Sequence, residues 1–168
     1  MGVSHIGITV EDGSLDKMVE WYLTVLAPLG YKKMYDLRPA VQSVGLGQMF
    51  PDFWIQTAPG YKHPPEERQH IAFYSSSRQK IRDFHALAMK AGSKDNGGPG
   101  LRPEYTATYY AAYVFDPEGR NIEVHSMGPG FWAEPKQRSV ILSALGVAAA
   151  VGMSYFANVG GYLGSWAL

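Results

Sequence analysis

The chain has 168 residues, no cysteine, and 15 basic against 15 acidic side chains, for a formal net charge of zero. That length suits one compact domain or two small fused modules, and the charge balance provides no basic field for collecting nucleic acid, so no nucleic-acid partner is expected. The lack of cysteine excludes disulfides, zinc–thiolate sites and thiol catalysis.

Residues 3–10 alternate and are rich in β-branched side chains, which predicts a strand. Glu11, Asp12 and Asp16 follow at once, so the first ten residues do not read as a signal peptide. Ser14 is placed to cap a helix, and Met18, Val19, Tyr22, Val25, Leu26 and Leu29 recur at helical spacing up to Gly30. Three short strands are expected over 31–37, 41–47 and 53–57, followed by a polar, proline-rich linker, APGYKHPPEER. The order then repeats: a strand over 69–74, a helix over 77–90 ending at Gly92, a loop DNGGPGLRP, a strand over 109–115, a turn at 116–119 and a last strand over 121–126. Aligned back from Gly30 and Gly92, Val19 meets Ile81, Tyr22 meets Phe84 and Val25 meets Leu87. His5 in HIGITV and His70 in HIAFY fall at matching points of the two copies.

Residues 139–168 carry no charge. The stretch 140–159 is long enough, at about 30 Å as a helix, to cross a bilayer. Lys136 and Arg138 precede it as a cytosolic positive flank. Ala144, Ala148 and Gly152, and then Gly160 and Gly164, form small-residue lines suited to close helix packing. A hydrophobic helix over 139–160 that anchors a cytosol-facing domain to a membrane is the expectation. Without it, the chain would be cytoplasmic, and a buried oligomerisation helix is the alternative for this stretch.

Side chains at i and i+2 of a strand share a face. That rule groups His5, Gly7 and Thr9; Trp54 and Gln56; His70, Ala72 and Tyr74; and Glu123 with His125. Glu123 between Ile122 and Val124 is costly unless it is paired or bound to a cation. A strand histidine is ordinarily a hydrogen-bonded core residue, and Glu123 could pair with Arg102 or Arg120. The repeated histidine position and the matching strand of Glu123 point instead to a divalent-metal site, for which two imidazoles and a carboxylate suit Fe, Mn, Zn, Ni or Co. His63 in the linker and His85 on the second helix are expected to be solvated. The glycines of DNGGPGLRP lack the GK[ST] ending of a phosphate loop and are read as a mobile flap. Arg102 within it is placed to meet an anionic substrate or to form a surface ion pair.

On HIGITV, HIAF and DPEGRNIEV, residues 3–127 resemble the vicinal oxygen chelate superfamily, which includes glyoxalase I, fosfomycin-resistance enzymes and type I extradiol dioxygenases. The resemblance implies an α+β fold: two βαβββ modules (1–60 and 68–128) forming one curved-sheet cleft. It implies metal ligation by His5, His70 and Glu123, with Gln56 as a fourth donor, and a substrate chelating through two adjacent oxygens. Glu123 or Tyr113 would move the proton, and Trp54, Tyr109, Arg102 and His125 would contact the substrate. Homodimerisation is common in the superfamily. Thr9 stands where an arginine clamp for glutathione would be, and the basic, serine-bearing loop of fosfomycin-resistance enzymes is replaced by Thr106, Thr108 and tyrosines. The resulting expectation is a glyoxalase-like metal enzyme. The alternatives are an Fe(II) ring-cleaving dioxygenase, with His125 and Tyr113 as proton-transfer groups, and a non-enzymatic ligand-binding or membrane-complex subunit.

Overall fold

The computed structural model describes residues 3–64 and 69–128; the hydrophobic stretch 139–160 lies outside them. The first module runs β1 (Ile6–Val10), α1 (Leu15–Leu26), a 3-10 turn (Ala27–Leu29), β2 (Lys32–Asp36), β3 (Ser43–Gly47) and β4 (Pro51–Thr57). The second runs β5 (His70–Tyr74), α2 (Arg78–Lys90), β6 (Asp95–Leu101), β7 (Tyr110–Phe115) and β8 (Asn121–Ser126). Each module is therefore βαβββ. Its four-stranded sheet has the order β1-β4-β3-β2 or β5-β8-β7-β6, with the first and last strands of the module parallel.

The segment DNGGPGLRP differs from expectation. Most of it is β6, paired antiparallel to β7 through two irregular registers. Pro99 is tolerated because β6 is an edge strand. Gly97 has φ +148°, and a Cβ there would lie 3.1 Å from the Tyr113 ring. The glycines thus let an edge strand bend over a tyrosine. They do not make the segment a free flap.

The parity of the strands sorts the side chains. Ile8, Val10, Val44, Leu46, Phe53 and Ile55 of the first sheet are buried, as are Ile71, Phe73, Ala112, Val114, Ile122 and Val124 of the second. Against them pack Met18, Tyr22, Val25 and Leu26 of α1 and Ile81, Phe84 and Ala88 of α2. The two apolar faces meet: Phe53 of β4 and Phe73 of β5 touch edge to face at 5.4 Å, and Tyr31 meets the same Phe73 at 5.4 Å. α1 also contacts α2, and Trp21 Nε1 donates to Ser93 Oγ across the modules. The helices and apolar faces thus form one shared core. Tyr35, on the first sheet, and Tyr74, on the second, are exposed.

A polar clamp joins the modules beside this core. Arg120 is fully buried. Its Nη1 lies 3.1 Å from Asp116 Oδ2 and its Nη2 2.8 Å from Glu118 Oε2. Nη2 also donates to the Thr9 carbonyl of β1 at 2.6 Å, and Nε donates to Gln69 Oε1. Asp116 further accepts the Tyr22 hydroxyl of α1 at 2.8 Å. Ser14, just before α1, donates to Glu118 and to the Glu11 carbonyl and makes no side-chain helix cap. Burial works to raise the Glu118 pKa, but bonds from Ser14, the Glu11 N–H and Arg120 outweigh it and hold the carboxyl below its ordinary range. His63 is buried, not solvated, because its Nδ1 accepts from Arg120 at 3.1 Å. His85 is likewise partly covered and sits 2.9 Å from Asp95.

Removing one partner of a buried ion pair leaves the other uncompensated, at a cost of about 3–5 kcal/mol. Arg120→Ala is expected to lower unfolding stability by about that amount in a urea titration. A change below about 1 kcal/mol would show that the clamp is not a structural link between the modules.

Candidate metal and ligand site

The polar face of the second sheet gathers most of the candidate residues. Cross-strand register places Ala72 and Tyr113 on either side of Glu123, and Tyr74 and Ala111 on either side of His125. These side chains share the face opposite Ile122 and Val124. Glu123 is 3% exposed. Its Oε2 lies 3.1 Å from His70 Nε2, and its Oε1 accepts the Tyr109 hydroxyl at 2.7 Å. Tyr113 faces the same carboxylate from β7, its cross-strand neighbour. Neither arginine considered as a partner reaches Glu123: Arg120 is in the clamp, and Arg102 donates from Nη1 and Nη2 to the Leu101 and Gly98 carbonyls. The Arg102 guanidinium lies 5.5 Å over the Tyr113 ring.

A cavity of about 570 Å³ opens here, lined by His70, Tyr105, Tyr109, Tyr113, Glu123 and Met127, with Thr106 and Asn121 completing it. His125 stacks on Tyr109 with ring centroids 5.0 Å apart and planes 4° apart, and it meets Tyr74 edge-on at 5.9 Å. Its Nδ1 is buried with no hydrogen-bond partner among the described residues.

Burial and the neighbouring Glu123 carboxylate push the Tyr109 and Tyr113 phenols above their ordinary range. Both therefore remain protonated donors near neutral pH. Tyr113 can give a proton or hold an oxygen, but it is not a base there.

Asn121 was missed in the sequence. Its Nδ2 contacts His70 Nδ1 at 2.9 Å, and its Oδ1 accepts from Asn96. The strand rule would have shown it, since Asn121 is two residues before Glu123. In this arrangement the His70 proton is on Nε2, donated to Glu123. Turning the Asn121 amide would move the proton to Nδ1 and free the Nε2 lone pair, the usual way an outer amide or carbonyl prepares a ligating imidazole.

The first sheet holds the remaining candidates. His5 directly precedes β1, is exposed, and lies 2.9 Å from Ser4 Oγ. Trp54 stacks on Tyr35 at 6.3 Å and lies flat over Gly45, where a Cβ would come within 3.0 Å of the indole. Gln56 Nε2 reaches Thr9 Oγ1 at 3.4 Å. Gly7 pairs with Trp54 and Thr9 with Gln56, whereas Ala72 pairs with Glu123 and Tyr74 with His125. With His5 matched to His70, Trp54 therefore stands at the position of Glu123, and Gln56 at that of His125. Gln56 is one pleat repeat, about 6.6 Å, beyond the ligand position.

Among the described residues no group of three His, Asp or Glu side chains is placed to hold one ion. His70 and Glu123 form a two-donor half-site, while His5 is on the other sheet. His70 Nε2 and Glu123 Oε2, joined here by a hydrogen bond of 3.1 Å, are donor types that would hold a metal once the Nε2 proton is moved. The donor types suit several first-row metals.

The chain matches no protein-family model and no curated protein sequence. It is similar to solved structures. One is a glyoxalase/bleomycin resistance protein from Albidiferax ferrireducens T118, at 21% identity and TM-score 0.57, covering 73% of this chain and 97% of that one. Another is the fosfomycin resistance protein FosX from Mesorhizobium loti, at 20% identity and TM-score 0.53, covering 74% and 91%. A third is a lactoylglutathione lyase from Agrobacterium tumefaciens, at 16% and 0.53, covering 74% and 92%. The fold is the one shared by these glyoxalase/bleomycin resistance, fosfomycin resistance and lactoylglutathione lyase structures. At these identities the likeness establishes the fold alone.

The placement of the two phenols on Glu123 carries a pH expectation. Free tyrosine ionises near pH 10. Residue-resolved tyrosine NMR should show Tyr109 and Tyr113 still protonated there, and Glu123→Gln should bring both titrations down. Ionisation of either at or below the ordinary value in the unmodified protein would contradict their burial beside the Glu123 carboxylate.

Proposed function

We propose that this protein is a metal-dependent, glyoxalase-like enzyme acting on a small substrate through two adjacent oxygens, and that its metal site forms between two copies of the chain. The supporting observation is the separation of the half-sites. His70 and Glu123 converge on the polar face of one sheet, and His5 extends from the corresponding strand of the other. The shared core occupies the space between the two apolar faces, so the polar faces cannot close on each other within one chain. In a two-fold dimer, the first sheet of one copy meets the second sheet of the other twice, giving two equivalent sites. Each would combine His70, Glu123, Tyr109 and Tyr113 of one copy with His5 and Trp54 of the other.

A divalent ion bound there supplies Lewis acidity toward two substrate oxygens. The residues of the chain do the rest. Tyr109 holds Glu123 through Oε1, and Oε2, paired with His70 Nε2, would face the ion once the His70 proton moves to Nδ1. Asn121 sets the His70 tautomer. Glu123 would be the proton acceptor of the set, and Tyr113 the donor beside it.

Mixing two inactive variants tests this arrangement. His5→Ala and Glu123→Ala should each lose metal-dependent turnover across an isomerase, lyase and hydrolase panel. Unfolded and refolded together, they should recover about one quarter of wild-type site content, because half the dimers carry one intact site of two. No recovery, with both variants folded and dimeric, would place the whole site within one chain. Metal content of about one equivalent per chain, lost in Glu123→Ala, would support the ligand set; none after reconstitution would favour a ligand-binding subunit. Bound iron would direct the assays to oxygen uptake with catechols.

We also propose that the uncharged C-terminal stretch attaches this domain to a membrane. No helix among the described residues is long and apolar enough to cross one, so attachment would depend on 139–160. The full chain should stay with the membrane pellet after alkaline carbonate extraction, and a chain ending at Lys136 should be released. Release of both would remove the anchor reading.

A further inference from the structure

A line of hydrogen bonds runs from the edge of the second sheet to Glu123, and every bond in it points the same way. Asn96 Nδ2 donates to Asn121 Oδ1 at 2.9 Å. Asn121 Nδ2 donates to His70 Nδ1, also at 2.9 Å, and His70 Nε2 donates to Glu123 Oε2 at 3.1 Å. An amide presents a donor on one side and an acceptor on the other, and a neutral imidazole does the same. Direction therefore passes along the line. The way Asn96 faces fixes the way Asn121 faces, and that fixes which ring nitrogen of His70 carries the proton.

A fault in β6 places Asn96 for this role. The ladder to β7 pairs Asp95 with Val114 and then Gly97 with Tyr113, which leaves Asn96 out of register. Such a bulge re-aims a side chain. Asp95 is held by His85 and by the Gly97 N–H, so the chain on either side of Asn96 is tied down. Asn96 itself is exposed, as is the contact of Asn121 with His70. Both amides can turn without disturbing the core.

A metal at His70 and Glu123 needs the opposite direction. The ion takes the Nε2 lone pair, so the ring proton moves to Nδ1. Nδ1–H then requires Asn121 Oδ1, and Asn121 Nδ2 requires Asn96 Oδ1. If Asn121 turned alone, its NH2 group would meet that of Asn96 and their hydrogen bond would be lost.

We infer that Asn96 and Asn121 form a two-amide latch on the half-site. In the metal-free protein it holds His70 in the tautomer closed to an ion, and both amides turn together to open it. Asn96 is a positioning residue that acts only through Asn121. The link to metal binding rests on the function proposed above; control of the His70 tautomer does not.

Asn96→Asp tests the latch, because a carboxylate only accepts. Asn121 must then give it Nδ2 and turn Oδ1 toward His70. Nitrogen-15 NMR of histidine-labelled, metal-free, full-length protein reads the tautomer at about pH 8, where imidazole is neutral. The His70 signals are identified by their loss in His70→Gln. The proton should sit on Nε2 in the unmodified protein and on Nδ1 in Asn96→Asp. Zn(II) affinity, measured by competition with a chromogenic chelator, should rise about tenfold in Asn96→Asp. The added charge alone would also attract a cation, so Asn96→Asp is repeated with Asn121→Ala, which keeps the charge and cuts the line. There the gain should disappear. A proton on Nδ1 in the unmodified protein, an unchanged tautomer in Asn96→Asp, or a Zn(II) gain that survives Asn121→Ala would each overturn the inference. A tautomer that turns while no Zn(II) binds sustains the latch and removes the metal reading. Zn(II) binding that is lost in Glu123→Ala, with the His70 tautomer unmoved by Asn96→Asp, sustains the metal reading and removes the latch.

Discussion

The fold depends on one buried cation. Arg120 ties together the carboxylates of its own turn, a carbonyl of β1, the linker histidine and the residue that leads into β5. Through Asp116 it also reaches Tyr22 at the centre of α1. A guanidinium suits this role because its planar fork stays charged and can serve several acceptors at once. Burying it unpaired would be prohibitive, so chain segments far apart in sequence must come together around it. That requirement fixes how the modules meet and leaves both polar sheet faces outside the shared core.

The same economy governs the site. Among the described residues Glu123 is a buried carboxylate with no lysine or arginine against it, held by the Tyr109 phenol and the His70 imidazole. Burial and this carboxylate hold the Tyr109 and Tyr113 phenols above their ordinary range, as donors. The aromatic stacking of Tyr109 on His125 adds stiffness to the wall from which the first phenol acts.

Much of this was legible in the sequence because strand and helix periodicities are local. The repeat around His5 and His70, the order of the first module and the apolar neighbours of Glu123 follow from spacing, whereas the third β-strand after α2 was implied only by the family resemblance. Other features were not, because they arise where distant segments touch. His63 reads as a polar linker residue until Arg120 is found against it. DNGGPGLRP reads as a loop because its glycines and proline are poor strand formers; pairing with β7 overrides that tendency. Gln56 was a fourth donor by the family resemblance, and the register against β1 adds that Trp54 holds the place equivalent to Glu123.

By itself the sequence determined the secondary elements other than β6, the internal repeat and the set of side chains on each strand face, since these depend on neighbours two to four residues away. The tertiary structure decided which faces meet. It joined the apolar faces around a common core and left His5 apart from His70 and Glu123, because burying apolar surface and satisfying Arg120 are long-range constraints that no local spacing encodes.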